Sequence, residues 1–171
     1  LRILIAGAAG RKIASAAAAF CRGAVMAGLW ATQRNDYPVT VKAGYSVSEV
    51  ILSPTEVLYT GIPIPDIALV LFPEGLIRVQ KRLTRMTAAG LVLASVDIAP
   101  LDTPAQQIAL DLPGIERWGK RKEYWTVMAL AALLRKTQSY PVEAFAQAIT
   151  ARRAFAEENL AAIDASQGLN L

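Results

Sequence analysis

The sequence contains no histidine and a single cysteine, Cys21. The first absence removes the commonest general base near neutral pH and the commonest metal ligand. The second excludes an internal disulfide, and with it any iron–sulfur cluster held by this chain alone, because such clusters need several thiolates. No Ser/His/Asp or Cys/His constellation can be assembled from these residues. Cys21 itself falls in the middle of an alanine-rich stretch that reads as helix, where a buried structural thiol is the expected role. Chemistry in which this chain takes part is therefore expected to reside on another polypeptide.

Charge is scarce as well. Only 19% of the 171 residues are charged while 54% are hydrophobic, and the net charge is +4 with a pI near 9.4. That balance suits an acidic partner but lacks the clustered excess of a nucleic-acid-binding domain. Long apolar runs are missing too: uncharged ones such as Ile13 to Cys21 and Val127 to Leu134 are too short to cross a bilayer. Arg11 and Lys12 interrupt the apolar opening, so a first strand explains it better than a signal peptide does. A cytoplasmic chain with neither membrane nor nucleic acid as partner is expected. The apolar excess points instead to a surface covered by protein. The length bounds the chain to one domain, residues 1–171, with a sizeable core. It enters its first strand with no lead-in, as a processed product or a domain cut from a longer polypeptide would.

What is present is an alternation of strands and helices. Leu1 to Ala6 forms an apolar strand that runs into the small-residue turn Gly7-Ala8-Ala9-Gly10. Lys12 to Ala27 predicts a helix that stops at Gly28. Leu29 to Gln33 predicts a short second strand, and Asn35-Asp36-Tyr37-Pro38 a loop. Tyr45 to Leu52 alternates and is rich in β-branched residues, as in a strand that ends at Ser53-Pro54. Ile67 to Phe72 has the composition of a strand buried on both faces. A helix over Leu76 to Thr87, a strand over Gly90 to Val96 and a further strand over Ile108 to Leu112 follow. The last third predicts helices at Lys122 to Thr137, Val142 to Arg153 and Phe155 to Ser166, the first two divided by Ser139 and Pro141. The pattern is α/β: a three-layer Rossmann-like domain with a mainly parallel sheet and a helical C-terminal tail.

A strand, a glycine turn and a helix in that order build a nucleotide-binding corner, where a phosphate approaches backbone N–H groups at a helix N-terminus. Gly7 and Gly10 remain from such a turn, but Ala9 and Lys12 stand where G-x-G-G-x-G or G-x-G-x-x-G has glycine. Gly7, Gly10, Arg11 and Lys12 are thus candidate contacts for a phosphate or diphosphate tail such as that of coenzyme A. The competing reading is that small residues let the first helix pack close to the sheet, and the Cβ of Ala9 favours it. Lys42-Ala43-Gly44 is a second candidate turn. In it Lys42 and Gly44 either contact a carboxylate or phosphate at a subunit boundary or belong to a solvated loop, with Gln33 and Tyr37 as nearby hydrogen-bonding residues. Arg78, Lys81, Arg82 and Arg85 share one helix face. They read as a docking stripe for an acidic partner or, more commonly, as a solvated face. Lys120-Arg121-Lys122 ahead of Tyr124-Trp125 reads as a basic helix cap with core aromatics rather than a single-strand nucleic-acid platform. The first helix has few charges between Ile13 and Leu29 and little to offer solvent. It, or the sheet edge near Lys42 to Val50, is expected to lie at an interface with a second copy or with larger subunits.

The order of these segments and several local motifs resemble the gamma subunit or gamma domain of the 2-oxoacid:ferredoxin oxidoreductases. The nearest branch is the indolepyruvate oxidoreductase beta subunit and related aryl-oxoacid enzymes. The resemblance rests on Gly7 and Gly10 of the opening turn, Gln33, Tyr37-Pro38, Lys42-Ala43-Gly44 and Ser46-Val47-Ser48-Glu49-Val50. It extends through Ile51-Leu52-Ser53-Pro54, Tyr59-Thr60-Gly61-Ile62, Pro65-Asp66 and Glu158-Asn159-Leu160. It implies an enzyme complex that decarboxylates a 2-oxoacid on thiamine diphosphate, passes electrons through iron–sulfur clusters to ferredoxin and generally transfers the acyl group to coenzyme A. It implies further that thiamine and clusters lie mostly on other subunits, and that this part packs against them as a structural and channel-forming element. In the family pattern Arg occupies the Lys42 position, and Lys cannot make the same planar bidentate contact. Two other classes compete. A stand-alone dinucleotide-dependent enzyme needs an acidic residue after the second strand, for which only Asp36 is near. A degenerate scaffolding paralogue fits the worn glycine turn.

Overall fold

The computed structural model describes residues 1–38, 44–151 and 155–169. At its centre lies β1 (Arg2–Ala8), buried from Ile3 onward. Its alternate side chains enter two different cores: Ile3 and Ile5 join one, Leu4 and Ala6 the other. This is the period-2 signature of a strand covered on both faces. The chain continues through α1 (Ile13–Met26), β2 (Trp30–Asp36), β3 (Tyr45–Ser53), β4 (Ile67–Val70), α2 (Pro73–Leu83), β5 (Leu91–Ser95) and β6 (Gln106–Leu110). It closes with α3 (Trp125–Thr137), α4 (Val142–Thr150) and α5 (Ala156–Ala165).

The sheet order is β2-β3-β1-β4-β5-β6. β1, β4, β5 and β6 run parallel, whereas β3 is antiparallel to both β1 and β2. The expected mainly parallel sheet is thus a four-stranded parallel block carrying an antiparallel pair. The reason is connection length. Residues 37–44 are fewer than the dozen or so that a parallel crossover takes, so β2 can return only as a hairpin partner of β3. Asn35 and Asp36, read as loop from their residue types, belong to β2 because they pair with Ser48 and Val47. Ser48 Oγ also donates to Asn35 Oδ1 at 2.7 Å, so tertiary pairing overrides a weak local preference. α2 starts at Pro73 rather than Leu76, with proline in the first turn, where its missing N–H costs nothing. β6 begins at Gln106 instead of Ile108.

α1 and α3 cover one face and α2 the other, as the two core clusters show. α3 is buried from Trp125 to Leu134 without a solvent face, as expected of a helix apolar all round. The alanine-rich α1 is covered within the chain by α4. A Cβ on Gly23 would come within 2.9 Å of Phe145 Cα, so the two helices meet backbone to backbone at that point. Phe20 fills the space beside this crossing, edge-on to Tyr140 at 5.1 Å and to Phe145 at 5.9 Å. The Tyr140 hydroxyl donates to the Phe20 carbonyl at 2.8 Å. Burying a ring of this kind contributes about 1.5–3 kcal/mol. Most of the helix expected at an intermolecular interface is therefore claimed by α4, while Val25, Met26 and Trp30 remain exposed; Tyr45 to Val50, expected at a sheet edge, instead lies inside the sheet between β2 and β1.

Of the basic cluster ahead of α3, Lys120 and Lys122 stay exposed, while the aromatics beside it fold inward. Tyr124 and Trp125 are buried, and the Arg121 guanidinium lies 4.5 Å from the Tyr124 ring and 4.9 Å from that of Trp118. Among the described residues no helix is long and apolar enough to cross a membrane.

Candidate functional site

β1 and β4 end side by side, with Ala6 opposite Val70, and the chain then diverges to α1 on one face and α2 on the other. In open α/β sheets such a divergence beyond the carboxyl ends of the strands is where ligands enter. Two helix N-termini approach this corner, each with a dipole favourable to an anion, although at α2 Pro73 has no N–H and those of Gly75 and Leu76 donate to the Phe72 carbonyl.

The glycines here serve packing first. A Cβ on Gly7 would come within 2.6 Å of Ile13 Cδ1 and 3.0 Å of the Phe72 ring. One on Gly75, in the first turn of α2, would come within 2.6 Å of the Ala6 carbonyl carbon and still closer to Gly7 N. Gly7 and Gly75 together let α2 lie directly on the end of β1. Gly10, by contrast, has a positive φ of 77° and open space where a side chain would be. Arg11 places its guanidinium 5.6 Å from the Phe72 ring centre, and its carbonyl accepts a hydrogen bond from Thr126 Oγ1 at 2.8 Å.

The two candidate turns come together. Ala9 N–H donates to the Gly44 carbonyl at 2.9 Å, and Gly44 holds a φ of 91° with Pro38 against it. Beside them Tyr45 donates to Asp36 Oδ1 at 3.2 Å, while Asp36 Oδ2 accepts from Arg78 Nε at 2.9 Å. Lys42 lies outside the described residues. Gln33 uses its amide inside the chain, donating to the Ala14 carbonyl at 3.0 Å and Asn35 Oδ1 at 2.9 Å. Tyr37 is exposed.

Lys12 parts company with the rest of the turn. It adopts the left-handed conformation with φ 57°, and its Nζ stands 3.7 Å from the Tyr124 ring centre and 5.0 Å from that of Phe155. It lines a cleft of about 260 Å³ together with Ser15, Ala16, Arg22, Phe155 and Asn159. Burial lowers the Lys12 pKa from its ordinary 10.5, against the opposing pull of Glu123 and Glu158. The only signal for this placement in the sequence was a lysine where a glycine is usual.

The basic face of α2 is partly consumed within the chain. Arg82 Nη1 meets Glu49 Oε1 at 2.5 Å, and Glu49 Oε2 accepts the Ile62 N–H at 2.9 Å. Arg78 pairs with Asp36, which leaves Lys81 and Arg85 exposed. Gly75 carried weight that sequence reasoning missed, and Asn159 entered it only as part of the Glu158-Asn159-Leu160 motif, not as a buried group. A glycine two positions after a helix-starting proline was the available signal for the first; nothing local marked the second as buried.

The profile of a family described as Pyruvate ferredoxin/flavodoxin oxidoreductase matches residues 2–168. No curated protein sequence matches the chain. Among solved structures, the gamma subunit of keto/oxoacid ferredoxin oxidoreductase from Geobacter sulfurreducens PCA superposes with a TM-score of 0.75 at 24% identity, over 96% of this chain and 95% of that one. Pyruvate oxidoreductase subunit PORC from Thermotoga maritima gives 0.75 at 16% identity, over 99% and 97%. The 2-oxoglutarate:ferredoxin oxidoreductase of Magnetococcus marinus, solved with 2-oxoglutarate, coenzyme A and succinyl-CoA bound, gives 0.82 at 17% identity. That match covers 98% of this chain but 30% of the larger one. At these identities the superpositions establish a shared α/β fold.

Proposed function

The chain belongs to the pyruvate ferredoxin/flavodoxin oxidoreductase family, and from that premise we propose that it is a non-catalytic, gamma-type subunit or domain of a thiamine diphosphate-dependent 2-oxoacid oxidoreductase. The family match over residues 2–168 carries this reading. An aryl-pyruvate such as indolepyruvate is the oxoacid class we propose, on the motifs from Gln33 to Gly61. A chain with one cysteine and no histidine does not fit a cluster of its own, and no step is routed through one. Thiamine diphosphate, the iron–sulfur clusters and the bulk of a coenzyme A site are assigned to the catalytic partner subunits, in the cytoplasm. This chain contributes the corner at the ends of β1 and β4, where Gly10 is exposed, Arg11 is half-buried beside Phe72 and Gly44 lies alongside. An anionic group such as a coenzyme A phosphate would meet the subunit boundary there. A second copy of the chain is the alternative cover for Val25, Met26 and Trp30.

Coexpression with the thiamine-binding and cluster-binding subunits tests the reading. Oxoacid-dependent reduction of a viologen dye is expected only when this chain is included, and the chain alone is expected to be inactive. Full activity of the other subunits without it, or turnover by the chain alone, would overturn the proposal. The scaffolding alternative draws on the packing role of Gly7 and Gly75. It predicts a stable complex whose turnover is indifferent to Arg11→Ala.

A further inference from the structure

Two polar atoms of opposite character are left without hydrogen-bond partners in one cleft. Lys12 Nζ and Asn159 Oδ1 are both buried from solvent and unpaired among the described residues, and both residues line the cleft of about 260 Å³ between α1, α3 and α5. Asn159 is only 6% exposed. A buried donor or acceptor left unpaired is costly, and a charge more so. Ring faces soften the cost for Lys12 but cannot donate to Asn159. The remaining walls include Ala16, Ala19, Val127 and Ile149, which are apolar.

We propose that this cleft binds a small hydroxycarboxylate, whose carboxylate accepts from Lys12 Nζ and whose hydroxyl donates to Asn159 Oδ1. The charge balance favours a monoanion. Arg121 and Glu123 pair with each other at 3.7 Å, which among the described residues leaves Lys12 and Arg22 against Glu158. Arg22 lies on the cleft wall, where its guanidinium makes a 3.5 Å contact with the Ala148 carbonyl. The volume falls below the roughly 300–1,000 Å³ of sites for drug-sized ligands, so the occupant is small. It also far exceeds the ~30 Å³ share of one water. A plain 2-oxoacid offers no donor and would leave Asn159 unpaired, so this site is separate in chemistry from the oxoacid turnover proposed for the complex. It does not depend on that proposal.

Titration calorimetry with lactate and 3-hydroxybutyrate, against propionate and butyrate, tests it. Each hydroxy acid is expected to bind at least about tenfold more tightly than its counterpart lacking the hydroxyl, because a site built to pair a hydroxyl rejects the analogue without one. Lys12→Met should abolish binding of all four, and Asn159→Ala should remove the preference for the hydroxyl. In the wild-type protein, NMR should show the Ala16, Ala19 and Val127 methyl groups shifting with the hydroxy acids, a readout that needs no variant. Absence of saturable binding up to about 10 mM, equal affinity for both acids of a pair, or shifts confined to other residues would overturn the proposal.

Discussion

A methyl group on Gly75 would press into the backbone of Ala6 and Gly7, whereas one on Gly7 would meet the movable end of Ile13 and the rim of Phe72. Backbone cannot give way as a side chain can. Gly75→Ala is expected to destabilise by about 3 kcal/mol or more, and Gly7→Ala by about 1–2 kcal/mol. Urea unfolding of the two variants checks the order, and equal small losses would contradict the close approach of α2 to β1. Cys21 offers a second test at this scale. Burial, opposed by Arg22, pushes its thiol from an ordinary 9.0 up to about 12, and burial also raises Tyr140. Between those values the folded state keeps a proton that the unfolded chain releases. Stability conferred by the thiol is therefore full below about pH 9 and is lost as pH rises towards 12. The urea midpoint should fall between about pH 8 and pH 10.5, and Cys21→Ala should shrink the fall. The sequence showed a helical, apolar setting for this thiol. It could not show that Lys12 turns away from Gly10 towards Tyr124 and Phe155, since those rings arrive from residues more than a hundred positions downstream.

Across α2, the i, i+3, i+4, i+7 arithmetic put Arg78, Lys81 and Arg82 on one helix face, but α2 ends at Leu83, short of Arg85, and the spacing said nothing of what faces these cations. Arg82 crosses to Glu49 of β3, which also accepts the Ile62 N–H, so one ion pair ties α2, β3 and the segment before β4 together. Arg82→Met should leave the buried Glu49 carboxylate without its cation and cost about 3 kcal/mol. Adding Glu49→Gln should recover part of that loss, and a double-mutant cycle of unfolding energies measures the coupling. Additive losses would mean that the pair is incidental. Strand content was legible in the same way, because apolar runs and turn residues mark β1, β3, β4 and β5 locally. The antiparallel placement of β2 and β3, and the extension of β2 through Asp36, depend on pairing partners that no local pattern names.

At the scale of the whole molecule, the apolar excess divides in two. Much of it is internal: a doubly covered sheet, a fully buried α3 and an α1 seated on α4. The rest is on the surface, where Leu58 and Ile77 are 85% and 83% exposed and Trp30, Val25 and Met26 are about half exposed. Composition alone merges these two populations, which is why the sequence pointed to α1 as the covered face although α4 already covers most of it. The exposed set is what a subunit of a larger enzyme would bury. Native mass spectrometry of the protein isolated under anaerobic conditions from its own cells, with metal and thiamine diphosphate analysis of each component, decides whether this chain is a non-catalytic subunit. The expected result is this chain in a fixed stoichiometry with larger chains that carry all the iron and all the thiamine diphosphate. A free monomer or homodimer as the sole species, or iron retained on this chain after its partners are removed, would contradict it.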